Sequence, residues 1–126
     1  MPANDIVNKI AGFYLAFDGF DYDAVLSLFA EDGRWYRGDS CLEGKQAIHD
    51  FLMQRSKERL TAHIITNVHL EETQEGIQAR YYITAYSNQS SQLIPSAVLL
   101  MTDVWVEDRA AGWLLKSKRA KTHLRL

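Results

Sequence analysis

The 126-residue chain is long enough to bury one substantial core and short for two. Its 14 basic and 16 acidic side chains leave a formal charge of -2, which excludes the basic footprint of a nucleic-acid binder. The single cysteine, Cys41, excludes an internal disulfide and fits a reducing compartment.

The N-terminal "MPANDIVNKI" has neither the basic start nor the apolar run of a signal peptide. The apolar run Ala97–Met101 is far too short to span a bilayer. The expected setting is therefore cytoplasmic, with no membrane partner.

In chain order, Asn4 is a candidate N-cap for a first helix carrying the stripe Val7, Ala11, Tyr14 and Asp18, widened by Ile6, Ile10 and Phe17 and closed by Gly19. Asp21 can cap a short second helix with Tyr22, Val25, Leu26 and Phe29 on its stripe. Glu31–Gly33 reads as a turn and "RWYRG" as a short strand, with Ser40–Glu43, including Cys41, as a loop or edge. Lys45–Arg55 reads as a third helix burying Ile48, Phe51 and Leu52.

From residue 61 the period shortens to two. Thr61–Glu71, Gly76–Asn88, Ser96–Glu107 and Trp113 to about Thr122 read as strands. They are separated by the turn-rich stretches "EETQEG", "NQSSQLIP" and "DRAAG". Helices followed by an antiparallel meander give an α+β fold. The expected form is a cone-shaped α+β barrel: a strongly curved, mostly antiparallel sheet wrapped around the N-terminal helices, with an internal cavity. A single domain over residues 1–126 is expected. "SKRAK", Ser117–Lys121, reads as the solvated side of the last strand.

Two residues stand out. Asp18 extends a buried stripe at a helix C-terminus, where the macrodipole disfavours a carboxylate by several tenths of a kcal/mol and burial adds a desolvation cost. Either it holds a charged or hydrogen-bonding partner, or the helix ends one residue earlier and "DGFD" is a solvated turn. His63 lies in "TAHIITNVHL", whose alternation puts Ala62, Ile64, Thr66, Val68 and Leu70 on one face and His63, Ile65, Asn67 and His69 on the other. Alternation alone turns His63 outward. His63 and His69 lie about 20 Å apart along an extended strand. With His49 and His123 equally isolated, no metal site is expected.

If Asp18 and His63 meet, the carboxylate fixes the imidazole tautomer and makes the other ring nitrogen a general base. With no nucleophile motif, phosphate loop or C-x-x-C, the natural reactions are elimination, isomerisation or cyclisation without a cofactor. Tyr14, Phe17, Trp35 and Tyr36 suit an apolar or aromatic ligand, with a tyrosine hydroxyl to orient an oxygen; core packing is the alternative for Phe17 and Trp35.

"FYLAFDGFDYDAVLSLFAEDGRWYRG", "LEGKQAIHDFL", "TAHIITNVHL" and "GWLLKSKRA" resemble the SnoaL-like branch of the nuclear transport factor 2-like superfamily across nearly the whole chain. The likeness to scytalone dehydratases and to hexachlorocyclohexane dehydrochlorinases implies an Asp18–His63 dyad, with Tyr36 as an orienting or polarising hydroxyl. It also turns His63 into the cavity, leaving Ala62, Ile64 and Val68 for a subunit interface. Tyr14, Phe17, Trp35, Ile65 and Asn67 are the expected substrate-binding residues.

The pattern departs from these relatives at three points: no second histidine lies in Arg80–Asn88, Phe17 replaces a tyrosine, and Phe13 replaces a lysine. The base aspartate of ketosteroid isomerases falls near Arg37. The resemblance implies a lyase, isomerase or cyclase acting on a small apolar or aromatic molecule. The alternative is a non-catalytic ligand-binding domain, or one similar to the small subunits of ring-hydroxylating dioxygenases. The weakly charged faces of Thr61–Leu70 lead to the expectation of a homodimer or homotrimer.

Overall fold

The computed structural model describes residues 2–89 and 94–125. Three helices, α1 (Ala3–Asp18), α2 (Tyr22–Ser27) and α3 (Gly44–Met53), accompany six strands. The strands are β1 (Phe29–Arg37), β2 (Ser40–Glu43), β3 (Thr61–Glu72), β4 (Ile77–Ser87), β5 (Ala97–Asp108) and β6 (Gly112–Arg125). They form one sheet in the order β2-β1-β6-β5-β4-β3. Among the described residues only the β1–β6 pairing is parallel. The sheet bends around the helices without closing, so the fold is α+β as expected.

The first helix buries Ile6, Ile10, Phe13, Tyr14 and Phe17 against the sheet. That stripe lies beside the expected one: Val7 is 41% exposed and Ala11 faces solvent. Its start also differs. The Ile6 amide already donates to the Pro2 carbonyl, which draws the first turn back to Ala3 and leaves Asn4 inside the helix. Asp21 caps α2 as expected, accepting from the Ala24 amide. Phe29 belongs to β1 and not to α2.

Glu31–Gly33 is an irregular part of β1 and not a turn. The β1–β6 register steps from Phe29↔Leu115 to Arg34↔Ser117, so four residues oppose one. Gly33 permits this, because a Cβ there would sit 2.9 Å from the Ala30 carbonyl oxygen and 3.0 Å from that of Leu115.

Strict alternation holds in β4, where Ile77, Ala79, Tyr81 and Ile83 point into the core. Elsewhere bulges break it. In β3 the register jumps from Thr66↔Tyr82 to His69↔Arg80, so Asn67 and Val68 together oppose Tyr81. Asn67 takes φ 59°, a left-handed conformation that asparagine tolerates better than most residues. Val68 and Leu70 therefore pack on the core, while Ala62 and Ile64 lie on the outer face, Ile64 51% exposed.

In β6 the pairs Trp105↔Leu115 and Val104↔Ser117 leave Lys116 as the extra residue. Leu115 and Lys118, three apart, both point inward. The basic run Ser117–Lys121 is thus not uniformly solvated: Lys118 is completely buried. Of the stretch 88–95 expected to be a loop, residues 90–93 lie outside the described residues.

Candidate functional site

The C-terminal end of α1 brings Asp18 against the start of β3. Gly19 closes the helix by donating its amide to the Leu15 carbonyl, which leaves the Asp18 carboxylate turned toward the strand. There it accepts three hydrogen bonds: from the Thr61 hydroxyl at 2.8 Å, from the His63 backbone amide at 2.9 Å, and from His63 Nδ1 at 2.6 Å. Those donors offset the cost of placing a carboxylate at the negative end of a helix.

Burial works to raise the Asp18 carboxyl. The hydrogen bonds from His63 and Thr61, together with the imidazole charge, outweigh it and hold the group below the ordinary aspartate range. The two side chains keep 19% and 14% exposure, so the pair is sheltered but not sealed.

Nδ1 engaged with a carboxylate is a donor, which puts the proton of the neutral ring on Nδ1. Among the described residues Nε2 has no hydrogen-bond partner. The ring is flanked by Tyr14 and Phe17, with centroids at 5.3 and 5.4 Å. Both rings, with His63 and Thr61, line a cleft of about 480 Å³. Trp35, Phe51, Ile83, Leu99 and Met101 give it an apolar wall. Its size suits a small organic ligand.

Of the residues singled out from sequence, Asp18 and His63 meet, and Tyr14, Phe17 and Trp35 sit beside them. Three others lie elsewhere. Tyr36 falls between Trp35 and Arg37, which face the cleft, and so points to the opposite face of the sheet. Its ring lies 3.9 Å below the Arg119 guanidinium, and Arg34 donates to its hydroxyl at 3.5 Å, in a separate surface groove. Asn67 is exposed at the β3 bulge, where its role is conformational. Ile65 shares His63's face but packs against the core beyond the cleft.

A second acid–base cluster lies behind the cleft and was not anticipated. Asp103 of β5 and Lys118 of β6 are both completely buried. Lys118 Nζ donates to the two carboxylate oxygens at 3.0 and 3.2 Å, to the Tyr81 hydroxyl at 2.7 Å and to the Tyr14 hydroxyl at 3.2 Å. Tyr81 in turn donates to Asp103 at 2.7 Å.

Burial pulls Lys118 down, but Asp103 and the Tyr14 oxygen outweigh it and hold the ammonium above its ordinary range. Burial also pushes the Tyr14 phenol up, against the pull of Lys118. Tyr14 thereby links the sealed cluster to the cleft. A signal for this cluster stood in the sequence: Asp103 interrupts the apolar strand Ala97–Val106, and a carboxylate there requires a cation beside it.

Three arginines also line the cleft without having been singled out as site residues: Arg37 at the end of β1, and Arg55 and Arg59 after α3. Arg55 donates to the Tyr22 hydroxyl at 2.7 Å and to the Phe17 carbonyl at 3.4 Å, its guanidinium 3.9 Å from the Phe17 ring centre. Among the described residues no group of histidine, cysteine and acidic side chains is arranged to hold a metal ion. No described helix is long and apolar enough to cross a membrane.

Comparison with known proteins agrees on the fold. No curated protein matches the chain in sequence. A structure of a protein from Catenulispora acidiphila in complex with S-DNPA is similar at a TM-score of 0.80 and 17% identity, covering 95% of this chain and 92% of that one. ActVI-ORFA from Streptomyces coelicolor aligns at 0.79 and 15% identity, covering 96% of each chain. A proposed dehydratase of the NTF2-like family from Streptomyces avermitilis aligns at 0.80 and 19% identity, covering 98% and 99%. At these identities the likeness is one of fold. The model of the SnoaL-like domain matches residues 3–119, and on that match the chain belongs to the SnoaL-like domain family.

Proposed function

We propose that the chain is an acid–base catalyst that works without a cofactor, a lyase, isomerase or cyclase acting on a small, largely apolar or aromatic molecule. The observation that carries this reading is the 2.6 Å contact between His63 Nδ1 and Asp18 Oδ1 at the wall of an apolar cleft. Asp18 holds the ring in the tautomer whose Nε2 lone pair is free, and stabilises the imidazolium that forms when Nε2 takes a proton. Tyr14, in place of the expected Tyr36, is the hydroxyl suited to polarise a substrate oxygen, because Lys118 already occupies its oxygen as a donor.

For a β-hydroxy ketone the step balances simply. Nε2 removes the proton α to the carbonyl, the electron pair forms the new C=C bond, and the C–O bond to the hydroxyl breaks. The proton on Nε2 passes to that hydroxyl, which leaves as water. The same base serves an isomerisation or cyclisation when the proton or the carbanion goes elsewhere. The kinship with proteins described as a dehydratase and as a complex with a small molecule supports this direction.

The test is a panel of aromatic β-hydroxy ketones, with enone formation followed by ultraviolet absorbance. The wild type should turn over at least one member. His63→Ala and Asp18→Asn should each lose about 10²- to 10⁴-fold in rate while unfolding cooperatively. Wild-type rates in either variant would refute the reading.

A further inference from the structure

The three arginines give the cleft a charge character that the dyad does not use. Its wall, among the described residues, contains Arg37, Arg55 and Arg59 and no aspartate or glutamate. Among the described residues none of the three lies within ion-pairing distance of a carboxylate; the pairs present involve lysines and histidines. Asp18, which stands behind the cleft residues Thr61 and His63, is already committed to them.

Among the described residues Arg55 has only neutral acceptors. Arg37 rests on aromatic faces, 4.1 Å from the Phe51 ring centre and 5.3 Å from that of Trp35, and donates to no described residue. Those faces fix the plane of its guanidinium while leaving its N–H groups free. Partial burial, then the charges of Arg55 and Arg59, hold Arg37 below the ordinary arginine range. This crowding of like charges is relieved when an anion enters. Gathering three cations in one cleft of a chain with net charge -2 sets this region against the charge balance of the rest.

We propose that the substrate carries a carboxylate on its apolar or aromatic body, held by Arg37 with Arg55 and Arg59 while His63 faces the body. This rests on the preceding reading for the role of His63, but not for the binding of the acid. A carboxylate fits better than a phosphate ester because planar guanidinium forks match its two oxygens. In addition, no glycine-rich loop is present to cradle a phosphate with backbone amides.

The experiment compares matched pairs of probes by isothermal titration calorimetry at low salt: 2-naphthoate with 2-naphthamide, and trans-cinnamate with cinnamamide. 2-Naphthyl phosphate serves as the alternative anion. At least one acid should bind about tenfold or more tighter than its amide. Arg37→Gln and Arg59→Gln should each reduce that preference by about threefold or more, chiefly through weaker binding of the acid.

His63→Gln should retain the preference, which separates this inference from the chemistry assigned to the dyad. Equal binding of every acid and its amide, or binding of neither, overturns it. So does tighter binding of the phosphate than of either acid, or a preference that survives both arginine substitutions.

Discussion

Two aspartates in this chain each hold a cation-forming side chain, in opposite environments. Asp18 and His63 meet at the wall of a cleft and keep a fifth or less of their surface exposed. Asp103 and Lys118 meet in the core, sealed by the rings of Tyr14 and Tyr81. Each carboxylate accepts three hydrogen bonds, so neither is an unsatisfied charge. The difference is access. His63 leaves Nε2 without a protein partner beside the cleft, whereas the Lys118 ammonium is surrounded by oxygens. On the proposed reading one pair exchanges a proton with a ligand, whereas the other holds Lys118 against the Tyr14 hydroxyl. An aspartate–cation contact is therefore read by what remains unoccupied on the cation.

The largest expected effect would come from opening the sealed pair. Lys118→Ala or Asp103→Ala leaves a buried charge without its partner and should cost about 3–5 kcal/mol in urea denaturation. Replacing both at once, as Lys118→Met with Asp103→Leu, should cost clearly less than either single change. Equal losses in all three would break the description of the cluster as one charge-balanced unit.

The cleft pair should respond in the other way. His63→Ala should remove turnover while shifting the unfolding midpoint far less than Lys118→Ala does. A midpoint loss as large as that of Lys118→Ala would erase the contrast between the two pairs.

A pH series separates the pairs further. The Asp18 carboxyl is held below its ordinary range in the folded chain. Its contribution is therefore present above the unfolded value of about 3.9 and drains as pH falls through the lower folded value. Asp18→Asn should flatten the acid-side decline of stability measured by denaturation. Lys118 is held above its ordinary range. Its contribution is thus complete below the unfolded lysine value and fades as pH rises through the higher folded one. Asp18→Asn should leave that alkaline limb unchanged.

The smallest effect is expected at the bulge that seats His63's strand. Asn67→Val places a β-branched residue at φ 59° and should cost about 1 kcal/mol. Asn67→Gly should be neutral or slightly stabilising, by differential scanning calorimetry.

What the sequence conveyed and what it hid both follow from these bulges. The α+β order and the α2 cap were legible because each rests on local signals that no bulge disturbs: helical stripes followed by strand-like runs, and Asp21 just before Tyr22. The orientation of His63 was not legible from alternation, since the extra residue at Asn67 and Val68 lets His63 and Val68 face the same side. Family resemblance corrected His63 but carried Val68 to the wrong face. Lys118 was misread for the same reason, the extra residue there being Lys116.

Tyr36 is the reverse case. Resemblance drew it into the site, although its own strand, with Trp35 turned inward, already pointed it out. Arg37 comes from β1 and Arg55 and Arg59 from the segment after α3, and only the folded chain shows that they share a wall.

The most direct test of the Asp18–His63 account is the tautomer of His63, read from imidazole nitrogen–proton correlations in a ¹⁵N-labelled sample at a pH where the ring is neutral. The account predicts the Nδ1–H form, with a strongly deshielded proton that disappears in Asp18→Asn. An Nε2–H tautomer in the wild type, or the same spectrum in Asp18→Asn, would contradict it.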